Sequence, residues 1–454
     1  MQTRPLSTDV LLSMARDFKA ISLEIPDFVA FILRRLQNKG HEAYVVGGVV
    51  RDALIGRSYG DWDITTSAVP SEIEAIFGDI RHYRIKHNTV TLVQGAQQVE
   101  VTTFRGQDAP SLIQDLRRRD FTINAMAYCP RTHELIDPFG GRQDLSRKAI
   151  RAVEDPEARF REDPIRLLRA VRLATELHFH LEQQTINVLT KRGPDIRGAA
   201  PERIREELMK ILMAPFPSRG FYLMRRTGLL NFIIPELLEG YLKRQSQHHH
   251  YTIFRHIMIT VDTVPPTELL RLTALFHDIA KPRVRAKDRG QWRFLRHEQE
   301  GARLTEEIMA RLRFRSELTQ RVSHLVRHHM IGYSPQWTDS AVRRLIQRVG
   351  PEAIHDLLLF RRADLLAHGK AEKQVELLDE LKGRVETILN QGRLVACTRD
   401  LAINGHTVMR VLKIPPGPLV GKVLDHLMQL VTEHPELNTQ EQLVQHLQEI
   451  KIKE

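Results

Sequence analysis

Cysteine is almost missing: Cys129 and Cys397 are the only two in 454 residues. Two thiols build neither a disulfide framework nor a zinc knuckle, which excludes a small secreted disulfide scaffold. Aromatic residues are scarce as well, at 6%, which argues against base-stacking platforms as the main mode of RNA contact. No apolar run reaches the roughly 18 residues that a membrane span requires, and the N-terminus has no signal-peptide core. Internal repeats and low-complexity tracts are absent. Acidic residues fall short of basic ones, 56 against 67, leaving a net charge of +11 and a pI of about 9.7. That balance suits a protein that holds a polyanion by its backbone. What remains is an ordinary globular composition, 42% hydrophobic and 27% charged, with mean hydropathy −0.31. A soluble enzyme of the reducing cytoplasm, with two to four domains and no membrane partner, is the expectation.

Along the chain, residues 1–24 carry no strong pattern and read as an extension. Phe28 to Leu36 reads as an amphipathic helix. From Ala43 to about Ile136, β-rich segments alternate with helical ones, so 25–148 is expected to be an α/β head. Beyond Ala149 helical periodicity dominates and no convincing strand appears. Arg161–Leu177 and Glu202–Met213 are expected helices within a neck at 149–217. A second helical block at 218–370 and a tail at 371–454 complete the expected architecture, an α+β chain.

The chemistry concentrates in YVVGGVVRDALIGRSYGDWDITTSA. Tyr44-Val45-Val46 is a short buried strand ending at Gly47-Gly48, followed by a short helix. A glycine turn into a helix lets backbone N–H groups approach a phosphate. Asp61 and Asp63 flank Trp62 in a strand-like run, and a period of two puts both carboxylates on one face. Like charges so placed call for a divalent cation. Alone, a Gly-Gly is a turn and a D-x-D a solvated loop; together they point to metal-assisted nucleotidyl transfer. Glu100, in VEVTTFR, is a candidate third carboxylate. Arg118 and Arg119 offer guanidiniums to a triphosphate or ribose, with Asp120 to hold one of them. In REDPIRLLRAVRLA, Asp163 and Pro164 read as the N-cap and first position of a helix. Arg166, Arg169 and Arg172 follow on one face of it.

These motifs resemble the nucleotidyltransferase superfamily, most closely its bacterial branch of tRNA nucleotidyltransferases and poly(A) polymerases. The resemblance implies a polymerase-β-like head followed by an all-helical neck, an HD-type body and a tail. It implies Asp61 and Asp63 as ligands of two Mg²⁺ ions, one activating the RNA 3′-hydroxyl and the other neutralising pyrophosphate. Gly47, Gly48 and Arg51 would cradle the triphosphate, and Arg119 would touch ribose or phosphate. Asp163 and Arg166 would read the base as an amino-acid template, steadied by Arg169 and Arg172, with Arg203 and Arg205 in support. FRHIMITVD, LTALFHDIAKPR and RRADLLAHG hold His256, His277, Asp278 and Asp364, in an order that resembles HD phosphohydrolases and implies a second divalent-metal site; His297 and His329 are further candidates. Complete CCA-adding members carry a longer, flexible connector before RRDFTINA. Here only Gly106 to Arg117 joins Arg105 to Arg118, which resembles the CC-adding subgroup. That subgroup takes CTP, works on the tRNA acceptor arm and leaves the terminal adenosine to a separate A-adding enzyme. The alternatives are complete CCA addition from CTP and ATP, a poly(A) polymerase, and an HD phosphohydrolase with an RNA-binding head.

Overall fold

The computed structural model describes residues 23–85, 88–106, 110–244, 251–289, 291–369, 372–392 and 394–449. The expected extension at 1–24 thus lies almost wholly outside the described residues. The chain divides into two compact units, one running through Ile211 and including Arg219–Ile233, the other comprising Leu212–Ser218 and everything from Ile234 onward.

The first unit is built on a seven-stranded mixed sheet. Its strands are β1 (Ala43–Val46), β2 (Trp62–Thr66), β3 (Arg81–Ile85), β4 (Thr89–Gln94), β5 (Gln97–Thr103), β6 (Ala127–Cys129) and β7 (Glu134–Ile136). Their spatial order is β3-β4-β5-β2-β1-β6-β7. Only β2 and β5 run parallel, and the other neighbours pair antiparallel. A helix at Asp27–Asn38 buries Phe28, Val29, Ile32, Leu33 and Leu36, an i, i+4 spacing that makes one apolar stripe.

The expected helix at Arg161–Leu177 is in fact two, Pro156–Glu162 and Ile165–Glu176. The break falls at Asp163-Pro164, because a proline disfavours helical backbone in the residue before it. Asp163 accordingly takes an extended conformation, φ −151° and ψ 102°. Short strands also occur where none was expected. Ala149–Ile150 pairs with His180–Leu181, and Ala286–Asp288 pairs with Gln291–Arg293. Runs of two or three residues are too short for alternation to register, and the second pair is largely charged.

The second unit is helical apart from that hairpin. Helices Ile253–Thr263, Glu268–Phe276, His297–Arg311, Ser316–His328 and Ile354–Ala367 surround a buried polar cluster. Farther along, Val408, Val423, Leu427, Val431, Leu443 and Leu447 make a separate apolar core from helices Gly405–Leu412, Pro418–Glu433 and Gln440–Glu449. Among the described residues no helix is long and apolar enough to cross a membrane.

Candidate functional site

β1 ends at Val46, and Gly47, at φ +83°, turns the chain into the helix Gly48–Leu54. A Cβ on Gly47 would stand 3.1 Å from Asp63 Oδ2 and 3.2 Å from Arg119 Nη1. Both the backbone conformation and the close approach therefore favour glycine. Strand register places Val46 opposite Asp63 and Asp63 opposite Glu100, so the two carboxylates share a sheet face. Asp61 precedes β2 rather than lying within it, since pairing begins at Trp62 with Val99. Burial first, then Glu100 and Asp61, push the Asp63 carboxyl up to about 6 against the pull of Arg119 and Arg105. A buried carboxyl pushed up beside two other acids fits a divalent cation, which would restore the charged form of Asp63.

The arginines are held rather than solvated. Arg119 donates to the fully buried Asp115 at 3.3 Å, and Asp115 also accepts from Thr65 Oγ1 at 3.2 Å and Arg105 N at 3.3 Å. Arg118 is exposed, and its carbonyl accepts from Arg166 Nη2 at 2.9 Å. Arg51, expected on a triphosphate, gives three of its donors to Asp52 and Asn124. Asn124 donates in turn to Asp120 at 3.1 Å. Arg169 reaches Asp120 at 3.1 Å and Glu207 at 3.5 Å, while Arg172 pairs with Glu207 at 2.6 Å and Glu176 at 2.9 Å. Burial works to raise the Asp120 pKa, but Arg169, Asn124 and Arg166 outweigh it and hold it at about 2.

Asp163 closes one helix and faces the next, a position earlier than the expected cap. Its Oδ1 accepts from Ile165 N at 3.3 Å and from Arg203 Nη1 at 3.0 Å, and its Oδ2 from Arg203 Nη2 at 2.7 Å. Arg166 Nη1 donates to Glu162 and the Arg159 carbonyl. With Nη2 also on the Arg118 carbonyl, Arg166 keeps two donors, on Nε and Nη2, uncommitted among the described residues. Asp163 keeps acceptor capacity on Oδ2. Sequence reasoning did not single out Asp115, Asn124 or Glu207. The only signal was their polar type inside apolar helical runs.

In the second unit His256, His277, Asp278, His297, His329 and Asp364 are all buried. His256 Nε2 lies 3.2 Å from His277 Nε2 and 2.9 Å from Asp364 Oδ1. His297 Nε2 lies 3.2 Å from His329 Nε2. Asp278 stands between these pairs, Oδ2 at 3.3 Å from His277 and 3.6 Å from His256, Oδ1 at 3.5 Å from His297 and 3.9 Å from His329. The Nδ1 atoms of His277, His297 and His329 meet backbone carbonyls of Ala274, Phe294 and Val326 at 2.7–2.9 Å. A carbonyl only accepts, so Nδ1 carries the proton. Burial lowers His297 and His329, whose neutral rings turn their Nε2 lone pairs inward. His277, against burial, is raised to about 9 by Asp278 and Asp364, a proton that a bound cation would displace. Neither Asp278 oxygen, nor Asp364 Oδ1, receives a well-directed hydrogen bond, although Lys281 Nζ approaches Asp278 Oδ2 at 2.6 Å. Facing lone pairs around orphaned carboxylate oxygens fit divalent ions, with Asp278 placed to be shared by two. His368, beside Asp364 and His256, was legible only as part of RRADLLAHG.

Residues 43–151 match the poly A polymerase head domain, 178–240 the probable RNA and SrmB-binding site of polymerase A, and 251–369 the HD domain. The A-adding tRNA nucleotidyltransferase of Deinococcus radiodurans is 33% identical over 84% of this chain and 89% of its own. The CCA-adding enzyme of Enterococcus faecalis is 32% identical over 91% of this chain and 93% of its own. The CCA-adding enzyme of Bacillus stearothermophilus, solved in complex with CTP, superposes with a TM-score of 0.70 at 28% identity, over 92% of this chain and 95% of that one. The chain therefore belongs to the bacterial tRNA nucleotidyltransferase family, with a nucleotidyltransferase head and an HD domain.

Proposed function

We propose that this enzyme adds cytidines, and stops at CC, on the tRNA 3′ end. The carrying observation is the connector before Arg118. Leu112–Arg117 is a helix capped by Ser111, and its Leu112 and Leu116 pack into a core with Val46, Phe104 and Ala127. Asp115 on the same helix fastens Arg119 and Arg105. Residues 107–109 of the connector lie outside the described residues; its helical part, buried in this way, has little freedom to re-aim a template between two bases. The test is incorporation on a tRNA ending at the discriminator base, with CTP and ATP offered singly and together. Two added cytidines with both nucleotides present is the expected product; extension to CCA, or adenosine addition to a tRNA already ending in CC, defeats the reading.

In this reading the head spans 25–148, the neck 149–217, the HD-type body 218–370 and the tail 371–454. The compact units do not divide at 217/218, since Leu212–Ser218 goes with the second and Arg219–Ile233 with the first. Asp61 and Asp63, with Glu100 beside them, would hold divalent ions, Mg²⁺ by the oxygen-only donor set. Such ions supply activation of the 3′-hydroxyl and neutralisation of pyrophosphate. The Gly47-Gly48 backbone admits the triphosphate, with Arg51 and Arg118 at its rim and Arg119 held across it by Asp115. Asp163 has acceptor capacity left for the cytosine amino group, and Arg166 has two donors left for the ring nitrogen and carbonyl. Arg169 and Arg172, tied to Asp120 and Glu207, act as struts for that pair.

A second activity rests on the histidine cluster. His256, His277, Asp278 and Asp364, with His297 and His329, would hold divalent metal for phosphoester hydrolysis. Converging Nε2 atoms and unsatisfied carboxylate oxygens carry that reading. Metal analysis of the purified chain, with and without His256→Ala, tests it: retention of the ion by the variant would sink the assignment.

A further inference from the structure

Between two members of the histidine cluster the chain makes an excursion that neither reading above uses. It leaves Asp278, forms the antiparallel hairpin Ala286–Asp288 with Gln291–Arg293, and returns to His297. Residues 279–296 contain seven basic residues and one acidic one. Their net of +6 exceeds half of the chain's +11. The excursion is fastened to the cluster at both ends. Lys281 reaches Asp278 and lies 5.7 Å from the Phe294 ring centre, and the Phe294 carbonyl holds His297 Nδ1 at 2.7 Å. The hairpin therefore rises from the rim of the cluster as a matter of chain connectivity.

Arg283 is paired with Glu239 and Arg293 with Asp288. Arg285, Lys287, Arg289 and Arg296 have no carboxylate partner among the described residues, and the last three are exposed. Arg285 stacks 3.5 Å from the ring centre of Trp292, with Lys287 at 5.5 Å. Leu295 beside them is 72% exposed. Like charges gathered on one short ribbon repel, and the arrangement suits a polyanion that neutralises several at once. A guanidinium held against an indole adds a surface on which a base can lie.

We propose that the 286–293 hairpin is an RNA-gripping arm of the histidine cluster, so that this site acts on phosphoesters of an RNA strand rather than on free nucleotides. The inference rests on the phosphohydrolase reading of that cluster. A mononucleotide carries too few charges to span the ribbon, whereas successive phosphates of a strand engage Lys287, Arg289 and Arg296 together. RNA is also the polyanion that the family of the head already brings to this chain.

The test uses the full chain and the double variant Lys287→Ala/Arg289→Ala, neither residue being among the proposed ligands. A single-stranded RNA carrying 5-bromouridine is photocrosslinked without added metal, and the attachment mapped by peptide mass analysis. Attachment within 286–296, lost in the variant and at high salt, is expected. Hydrolysis by the metal-loaded chain is then compared on an RNA oligomer ending in a phosphoester and on a mononucleotide phosphoester. The variant should raise KM for the oligomer about ten-fold, the effect of losing two phosphate contacts, and leave the mononucleotide within about two-fold. Crosslinks confined to other segments, or an oligomer KM that the variant does not move, overturn the proposal. Crosslinking to the hairpin without hydrolysis of either substrate defeats the phosphohydrolase reading and limits the arm to RNA contact.

Discussion

Asp63 occupies a position that disfavours its own charge. Its carboxyl is raised to about 6 by burial, Glu100 and Asp61, so in the metal-free protein it opposes folding at neutral pH. For a group raised in the folded state, the stabilising contribution is present below the unfolded value and is lost as pH rises through about 6. Asp63→Asn should therefore abolish incorporation while leaving the metal-free melting temperature at pH 7 equal to or above that of the parent. A clear fall in that temperature would mean that Asp63 is a structural anchor instead. Gly47 behaves oppositely. Gly47→Ala combines a left-handed φ of +83° with a Cβ 3.1 Å from Asp63, so a loss of about 1–2 kcal/mol in stability is expected. Incorporation should fall by more than ten-fold, as steady-state assays with denaturant titrations would show. Asp120 illustrates the usual sign for an acid: held at about 2 by Arg169, Asn124 and Arg166 against burial, it stabilises the fold above its unfolded value. That contribution fades as pH falls from about 4 toward 2. Asp120→Asn should flatten this part of the acid-unfolding curve and lower stability at pH 7 by roughly 2 kcal/mol.

At the scale of elements, the short helix Leu112–Arg117 is the part with most at stake. Asp115→Ala would leave Arg105 and Arg119 beside a gap, and removing one partner of a buried ion pair costs about 3–5 kcal/mol. Raised KM for CTP together with a lowered unfolding midpoint is the expected pair of effects; an unchanged KM would mean that Arg119 keeps its place without this support. The elements also divide by how legible they were. β1, β2 and β5 were readable because Val45, Val46, Ile64, Val99 and Val101 are apolar and β-branched at buried positions, and the paired aspartates sat at a strand start. The break at Asp163-Pro164 was visible as a cap, but its effect on the preceding helix was not, because proline acts on the residue before it. The distant partners of Arg51, Arg169 and Arg172 were out of reach: Asn124 lies 73 residues from Arg51, Asp120 lies 49 from Arg169 and Glu207 lies 35 from Arg172. A string of charges on one helix face does not say which carboxylates the fold will bring to it.

For the molecule as a whole, a metal held at the histidine cluster would be a structural matter. Binding a divalent ion at about 100 times its Kd adds about 2.7 kcal/mol, so stripping the ion with a chelator should lower the melting temperature of the second unit. His277→Ala should remove that chelator sensitivity. The same treatment should leave cytidine addition intact once Mg²⁺ is restored to the head, which activity after chelation and Mg²⁺ rescue would check. The Nδ1 atoms pinned to carbonyls at the ends of their own helices carry a further consequence. Rings held that firmly keep their places when an ion leaves, and a proton on His277, raised to about 9, would take the ion's place between the facing nitrogens. Metal and proton would then compete for the same nitrogens, so occupancy of the cluster would fall with falling pH even at a constant supply of metal.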